Sequence, residues 1–360
     1  MSNKGYYFHS LRFVNYRSLE NLEIDSLRRI NLIGGFNGSG KTTLLEGLFF
    51  VLDRRSPMGF ARPHAIRNIG FAGRNGVAVW FSGQKSEKEI EISAKTNDGD
   101  IILSMKYGKP PSQFSSNFSI GQGHKIPTAQ QTRGAQDVLL IEAKVNNNDD
   151  DLFYIEPRLD GLNFTPIRSG RSAIPIGVIL TAGQKANNDD IATRFSDSIR
   201  ENRVPELLDI LKDINKDIVG FELLHEAGVT ALHAKMKDGK IYPTPMLGDG
   251  FMALLSIALM IMSSRKGVVL LDEFDSAIHY SVIHNVWSHI ARLARKYECQ
   301  IFAVTHSIDC IKSAFKGVNG AKCGNDFQYL RLERVNGKNN AVSYSSDELE
   351  SAINADWEVR

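Results

Sequence analysis

The sequence predicts an α/β fold built on a central parallel sheet, with an antiparallel β part near its start and a β-rich insertion in its middle. Three observations lead there. An apolar run, a glycine loop and a helical run follow one another from Ile30 to Leu52, the order that a phosphate-cradling loop requires. Far downstream, Val268 to Leu271 and Gln300 to Val304 read as strands buried on both faces, as in a parallel sheet. Between these ends lie short alternating segments separated by Asx- and Gly-rich turns, the pattern of hairpins.

Composition narrows the class before any motif is weighed. A chain of 360 residues with 42% apolar and 23% charged residues has ample material for a large core. No apolar run reaches membrane-spanning length, and the first residues lack the apolar centre of a signal peptide, so no membrane partner is expected. Cys299, Cys310 and Cys323 form no C-x-x-C pair, which argues against a zinc hook or a disulfide frame and for a reduced, cytoplasmic setting. A net charge of +2 is too small to argue for nucleic acid.

In chain order, Tyr7 to Val14 is rich in aromatic and β-branched residues and reads as a strand, with Asn21 to Ile24 as its returning partner. Arg28 to Ile33 leads into the glycine loop, and Thr43 to Leu52 is helical. Residues 53–76 carry scattered Arg, Gly and Pro and read as loop with short helical pieces. Gly76 to Ser82, Lys88 to Lys95 and Ile101 to Tyr107 are expected strands, the last two joined at Asn97-Asp-Gly-Asp100. Residues 108–136 turn to Ser, Gln, Gly and Pro and are expected to form an exposed, mobile loop. Val138 to Lys144 and Leu152 to Glu156 make a further hairpin around Asn146 to Asp151, an acidic run read as a solvated turn rather than a metal site. Ile174 to Thr181 is strand-like, Pro205 to Ile214 helical, and Ile218 to Leu224 with Val229 to Met236 a third hairpin. No internal repeat and no sustained heptads occur, so a long coiled-coil arm is not expected.

The chemistry concentrates in four places. Gly35 to Thr42 satisfies G-x-x-x-x-G-K-[ST]. Gly35, Asn37, Gly38, Ser39 and Gly40 let the backbone curl around phosphate oxygens, and Thr43 lies in the helix whose positive end faces them. Lys41 is expected to reach the β- and γ-phosphates of ATP, and the Thr42 hydroxyl to sit on Mg²⁺. Asp272, closing the run Val268 to Leu271, is placed at a strand's carboxyl end and is expected to hold Mg²⁺ opposite Thr42. Glu273 then projects toward the γ-phosphate as the base for an attacking water. His306 ends the neighbouring strand and is expected to touch the γ-phosphate or that water. Gly248, Asp249 and Gly250 open an apolar helix, a second anion-binding helix start. His279, His284 and His289 read as surface or packing residues.

Taken together, Phe13-Val-Asn-Tyr-Arg-Ser-Leu19, Asn31 to Glu46 and Phe302-Ala-Val-Thr-His-Ser307 resemble the ABC class of ATPases, in its RecF/SMC/OLD branch. Leu247-Gly-Asp-Gly250 and Leu271 to Ser281 are similar to the signature and Walker B segments of stand-alone OLD-like ATPases, often labelled AAA-family. The match covers residues 8–52 and 205–315. The resemblance implies an ABC-type P-loop ATPase head. Residues 1–107 would form an N-terminal lobe, 108–200 the insertion, 201–320 a C-terminal lobe with signature, Walker B and His switch, and 321–360 a β/helical extension.

It further implies a homodimer around two ATP molecules, with Lys41, Thr42, Asp272, Glu273 and His306 acting in cis and Gly248 to Gly250 meeting the other subunit's γ-phosphate. Two departures bear on closure and hydrolysis: Gly248 stands where the ABC signature carries Ser, and His279 where the D-loop carries Asp. Gln84 is the candidate Q-loop residue. OLD-like proteins often act with a TOPRIM nuclease in phage defence. About 50 residues follow Ser307, too few for that domain, so the expected role is a regulatory ATPase for a separate nuclease or toxin. A RecF-like DNA clamp is the competing reading, and an ATP-binding scaffold a third.

Overall fold

Strands that are apolar on both faces can persist only where both faces are covered, and Ile30 to Gly34, Val268 to Asp272 and Gln300 to Val304 are buried at every position. In the computed structural model these are β3, β13 and β14, the middle of a six-stranded sheet. The structure describes residues 5–56, 59–60, 73–110, 137–158, 161–181, 188–226, 228–335 and 337–355.

In order, the chain forms β1 (Phe8–Tyr16), β2 (Leu19–Ile24), β3 (Ile30–Gly34) and α1 (Lys41–Leu52). Next come α2 (Gly73–Ala78), β4 (Ile90–Thr96), β5 (Gly99–Gly108), β6 (Val138–Val145), β7 (Asn148–Arg158), β8 (Gly161–Arg168) and β9 (Gly177–Leu180). The remainder comprises α3 (Asn188–Arg200), α4 (Val204–Leu211), β10 (Ile218–Glu226), β11 (Val229–Met236), β12 (Ile241–Pro243), α5 (Asp249–Ser263), β13 (Val268–Asp272) and α6 (Ile283–Lys296). It closes with β14 (Gln300–Val304), α7 (Ile308–Gly320), β15 (Phe327–Val335), β16 (Lys338–Ser345) and α8 (Ser346–Asn354).

The chain divides into two compact units. The first comprises Met1–His9, Ile24–Leu45 and Ile174–Arg360. Its sheet runs β16-β15-β3-β14-β13-β9, with β15, β3, β14, β13 and β9 parallel and β16 antiparallel. A continuous core of α3, α4, α5, α6, α7 and α8 side chains, among them Phe251, Trp287 and Leu349, packs with the sheet. A small sheet β10-β11-β12 precedes α5. At the amino ends of the parallel strands, Gln300 is fully buried, accepts from Phe8 N at 2.7 Å and donates to Phe8 O at 2.9 Å. That side chain pairs with a backbone as a strand would, which satisfies groups that water cannot reach.

The second unit comprises Ser10–Glu23 and Glu46–Ala173. Its strands belong to a seven-stranded sheet ordered β2-β1-β4-β5-β6-β7-β8, antiparallel from β4 to β8. Phe13, Tyr16, Phe50, Phe60, Trp80 and Phe153 form a contiguous ring cluster at its core, with centroids 4.7 to 6.4 Å apart.

Two expectations are corrected here. Gly76 to Ser82 is not a strand: it holds the end of α2 and the start of a 3₁₀ turn at Ser82–Gln84, with only an isolated bridge from Tyr16 to Phe81. Val77, Ala78, Trp80 and Phe81 are all buried, so aromatic packing rather than strand pairing placed them. The acidic run is not a solvated turn either. The turn narrows to Asn146 and Asn147, both at positive φ, and Asp149 to Asp151 belong to β7. Asp150 and Asp151 are buried and ion-paired with Arg54 and Arg55 at 2.9 to 3.5 Å. Asp151 also accepts from Gly170 N at 2.7 Å. Burial pushes the Asp150 carboxyl up, yet hydrogen bonds from Ser172 and the charges of Arg55 and Arg54 outweigh it and hold the carboxyl below its usual range.

β8 and α3 were not anticipated. α3 carried a readable signal: Ile191, Ala192, Phe195 and Ser198 are its buried stripe, with Asp189 and Asp190 in the first turn and Arg200 in the last. Of the loop expected at 108–136, residues 111–136 lie outside the described residues, as do 57–58 and 61–72 of the loop expected at 53–76.

Candidate active site

β3 delivers the chain to the glycine loop, and α1 leaves it with a ladder that begins at Leu44 N to Gly40 O, 2.9 Å. The helix therefore opens its positive end onto the loop. Gly35, Gly38 and Gly40 all adopt positive φ, of 131°, 78° and 103°. At Gly35 the requirement is double, because a Cβ there would stand 2.2 Å from the carbonyl oxygen of Leu332. Phe36, Asn37 and Gly38 form the exposed tip, whereas Ser39, Gly40, Lys41 and Thr43 are buried.

Lys41 Nζ donates to Gly35 O at 2.7 Å and Phe36 O at 2.9 Å. Burial lowers its pKa to about 8, against the opposing pull of the Glu273 and Asp272 carboxylates. Thr42 Oγ1 donates to Asp272 Oδ1 at 3.3 Å. Asp272 occupies the last position of β13 and is buried, in register with Val304 of β14. The oxygens of Thr42 and Asp272 are hard donors in close approach, the partial set that Mg²⁺ takes from a protein when phosphates supply the rest. The residues present therefore fit Mg²⁺. Among the described residues no group of three or more His, Cys, Asp or Glu is arranged to hold a metal by itself.

Immediately after β13 the backbone breaks. Glu273 adopts the left-handed conformation, φ 49° and ψ 34°, ahead of a 3₁₀ turn at Phe274–Ala277. Such a conformation costs about 1–3 kcal/mol for a side chain without special preference, and the surroundings enforce it. Glu273 N donates to Val304 O at 3.0 Å, and Ser276 donates to Glu273 O through both N (3.3 Å) and Oγ (2.9 Å). The turned carboxylate accepts from His306, with Nε2 2.8 Å from Glu273 Oε1. His306 follows β14, directly before α7, whose cap is the Ser307 hydroxyl accepting from Cys310 N.

The structure thus brings Lys41, Thr42, Asp272, Glu273 and His306 to one end of β3, β13 and β14. Gly248, Asp249 and Gly250 are carried to the start of α5, where a Cβ on Gly250 would lie 3.0 Å from Ala277 O. Gly248 has φ 94° and ψ 162°, a region essentially reserved for glycine, which accounts physically for the missing serine. Gln84 lies in the second unit, in the 3₁₀ turn at Ser82–Gln84.

Sequence reasoning missed the support behind the loop. β15 runs parallel to β3, and Asn339 of β16, buried, donates through Nδ2 to Ser39 O at 3.2 Å. No local pattern advertises that role, because it depends on a strand pairing across 300 positions.

A buried parallel sheet carrying a lysine loop, a Thr–Asp oxygen pair and a Glu–His pair at its carboxyl end defines a P-loop nucleotide hydrolase. The chain belongs to the family described as "AAA domain, putative AbiEii toxin, Type IV TA system", whose model matches residues 30–309. It is 22% identical over 335 residues to an ATP/GTP phosphatase of Helicobacter pylori, covering 84% of this chain and 86% of that one. It is 30% identical over 115 residues to the DNA replication and repair protein RecF of Francisella tularensis subsp. mediasiatica, 32% of each chain. Among solved structures, the SMC head bound to the C-terminal winged-helix domain of ScpA superposes with a TM-score of 0.52 at 15% identity, covering 96% of this chain and 99% of that one. An Smc head with extended coiled coil, in complex with a ScpA domain derived from Pyrococcus furiosus, gives 0.51 at 11% identity, covering 97% and 99%. The protein is an ATPase with an SMC-head-like fold. No helix among the described residues is long and apolar enough to cross a membrane.

Proposed function

We propose that this ATPase hydrolyses Mg-ATP at the Lys41–Thr42–Asp272–Glu273–His306 cluster, that two copies close around the nucleotides, and that this closure governs a separate effector protein. The convergence of Glu273 on His306 at 2.8 Å, beside the Thr42–Asp272 pair, carries the catalytic part. With nucleotide bound, Lys41 would exchange its loop carbonyls for phosphate oxygens, Thr42 and Asp272 would hold Mg²⁺, and Glu273 would orient and deprotonate water while His306 steers that carboxylate. Magnesium, when bound, neutralises charge on the phosphates.

Closure of two copies is supported by large exposed apolar side chains on three motif segments: Phe36 (60% exposed) in the glycine loop, Met246 (73%) before Gly248 and Tyr280 (74%) after the Asp-Glu turn. The family description names a putative toxin and a type IV TA system, which supports work alongside a second protein; action in OLD-like fashion and in defence against phage is the further part of the proposal. The RecF-like reading rests on a third of the chain.

The test is capture of partners by tagged Glu273→Gln protein held with ATP and Mg²⁺ in its native host. Glu273→Gln abolishes turnover, retains ATP and sediments as a dimer; wild-type turnover in this variant overturns the assignment of the base. A stoichiometric nuclease or toxin-like protein supports the effector reading, whereas nucleic acid without protein replaces it with the DNA clamp.

A further inference from the structure

Asp275 lies in the segment that follows Glu273 and has no role among the site residues assigned above, yet it makes one of the bonds that join the two halves of the site. Glu273 and His306 belong to separate turns, one after β13 and one after β14. The turns are tied first by Glu273 N donating to Val304 O, and then, one residue past the end of β14, by the Thr305 hydroxyl donating to Asp275 Oδ2 at 2.8 Å. Thr305 is fully buried, and its own N–H donates to Ile33 O of β3, just ahead of the glycine loop. Its hydroxyl oxygen accepts from Ser307 N at 3.0 Å. The proton direction is set along one line: the Ser307 N–H, which can only donate, points to Thr305 Oγ1, and the Thr305 O–H points to the Asp275 carboxyl. His306 sits between the two residues so held.

We infer that Asp275 is a positioning residue for hydrolysis: through Thr305 it sets the height of His306 against Glu273. The inference rests on the reading of Glu273 as the base. Burial raises the Asp275 carboxyl above its ordinary range despite the opposing Thr305 hydrogen bond, so the fold keeps this carboxylate at a cost in desolvation.

The experiment compares steady-state ATP turnover, fluorescent-ATP affinity and thermal midpoint for Asp275→Ala, Asp275→Asn, Thr305→Val, Thr305→Ser, the double Asp275→Ala/Thr305→Val and Glu273→Gln. Misplacement of a catalytic pair costs about 10- to 100-fold in kcat, and that loss is expected for Asp275→Ala and Thr305→Val with affinity for ATP retained. Asp275→Asn, whose amide oxygen still accepts, and Thr305→Ser recover most of the rate. The double variant is no slower than Thr305→Val alone, because Asp275→Ala then removes an interaction already lost. Wild-type kcat in Thr305→Val, multiplicative losses in the double variant, or kcat falling only in step with affinity and thermal midpoint overturns the inference. Thr305→Val preserves shape and decides the matter if Asp275→Ala does not fold. Full turnover in Glu273→Gln is the separate failure, that of the base itself.

Discussion

Thr42 Oγ1 donates to Asp272 Oδ1 at 3.3 Å, although 230 positions separate the two residues. One sits in the first turn of α1 and the other closes β13, so the pair exists only because β3 and β13 both border β14 in a parallel sheet. Asp272→Asn keeps the shape and removes the charge. Turnover should fall by more than the roughly 10- to 100-fold typical of changes in the groups that support metal ligands. Thr42→Ser, which keeps the hydroxyl, should stay near wild type. Activity measured against magnesium concentration separates them: the first variant fails at every concentration, the second only shifts.

Gly248 invites the opposite kind of substitution. Gly248→Ser restores the hydroxyl of the ABC signature but forces a side chain into φ 94°, ψ 162°. The expected outcome is a loss of about 1–3 kcal/mol in stability and no gain in turnover. A denaturant titration beside an ATPase assay reads both.

The support behind the glycine loop predicts a stability effect felt at the nucleotide. Asn339→Leu leaves the Ser39 carbonyl without the donor now 3.2 Å away. A buried polar group stripped of its partner costs about 1–3 kcal/mol, so the unfolding midpoint should drop and KM for ATP rise.

The acidic run supplies a contrast within three residues. Asp151→Ala removes one of the two buried carboxylates that pair with Arg54, 1% exposed at its side chain, and should cost about 1–3 kcal/mol. Asp149, 55% exposed, pairs with Arg168 at 3.2 Å, and Asp149→Ala should cost less than about 1 kcal/mol. The folded Asp150 carboxyl titrates below its ordinary 3.8. Its contribution is therefore present above that pH and lost as pH falls below it, which acid unfolding of wild type and Asp150→Asn would show.

Burial pushes the Cys299 and Cys310 thiols up to about 12 from an ordinary 9.0. Both should resist a thiol reagent at pH 8 until the protein unfolds, since the thiolate is the reactive form. Because the folded values are raised, the stability these thiols contribute is complete below pH 9 and declines as pH rises toward 12.

How much of this was legible varies with the range of the interaction responsible. The run from Ile30 to Leu52 reads directly, since glycines, lysine and flanking strand and helix are neighbours in the chain. Val268 to Asp272 reads almost as well, because five consecutive buried positions leave no exposed face to explain. The left-handed turn at Glu273 does not read, since glutamate has no preference for it and Val304 imposes it from another strand. Asp150 and Asp151 misled for a related reason: a run of Asx residues has the composition of a turn, and only the distant Arg54 and Arg55 make burial affordable.

By itself, then, the sequence determined the phosphate loop, the Asp-Glu strand, the neighbouring Thr-His-Ser end and the α/β class, all of them patterns carried within a few residues. Tertiary structure alone decided which ends meet: that β15 lies against β3, that Asn339 holds Ser39, that Gly248 must remain glycine, and that Asp275 reaches Thr305. Parallel pairing is the physical reason. It joins segments hundreds of positions apart through backbone bonds that carry no residue-specific signal, so partners that such strands bring together leave no mark in the local pattern of either one.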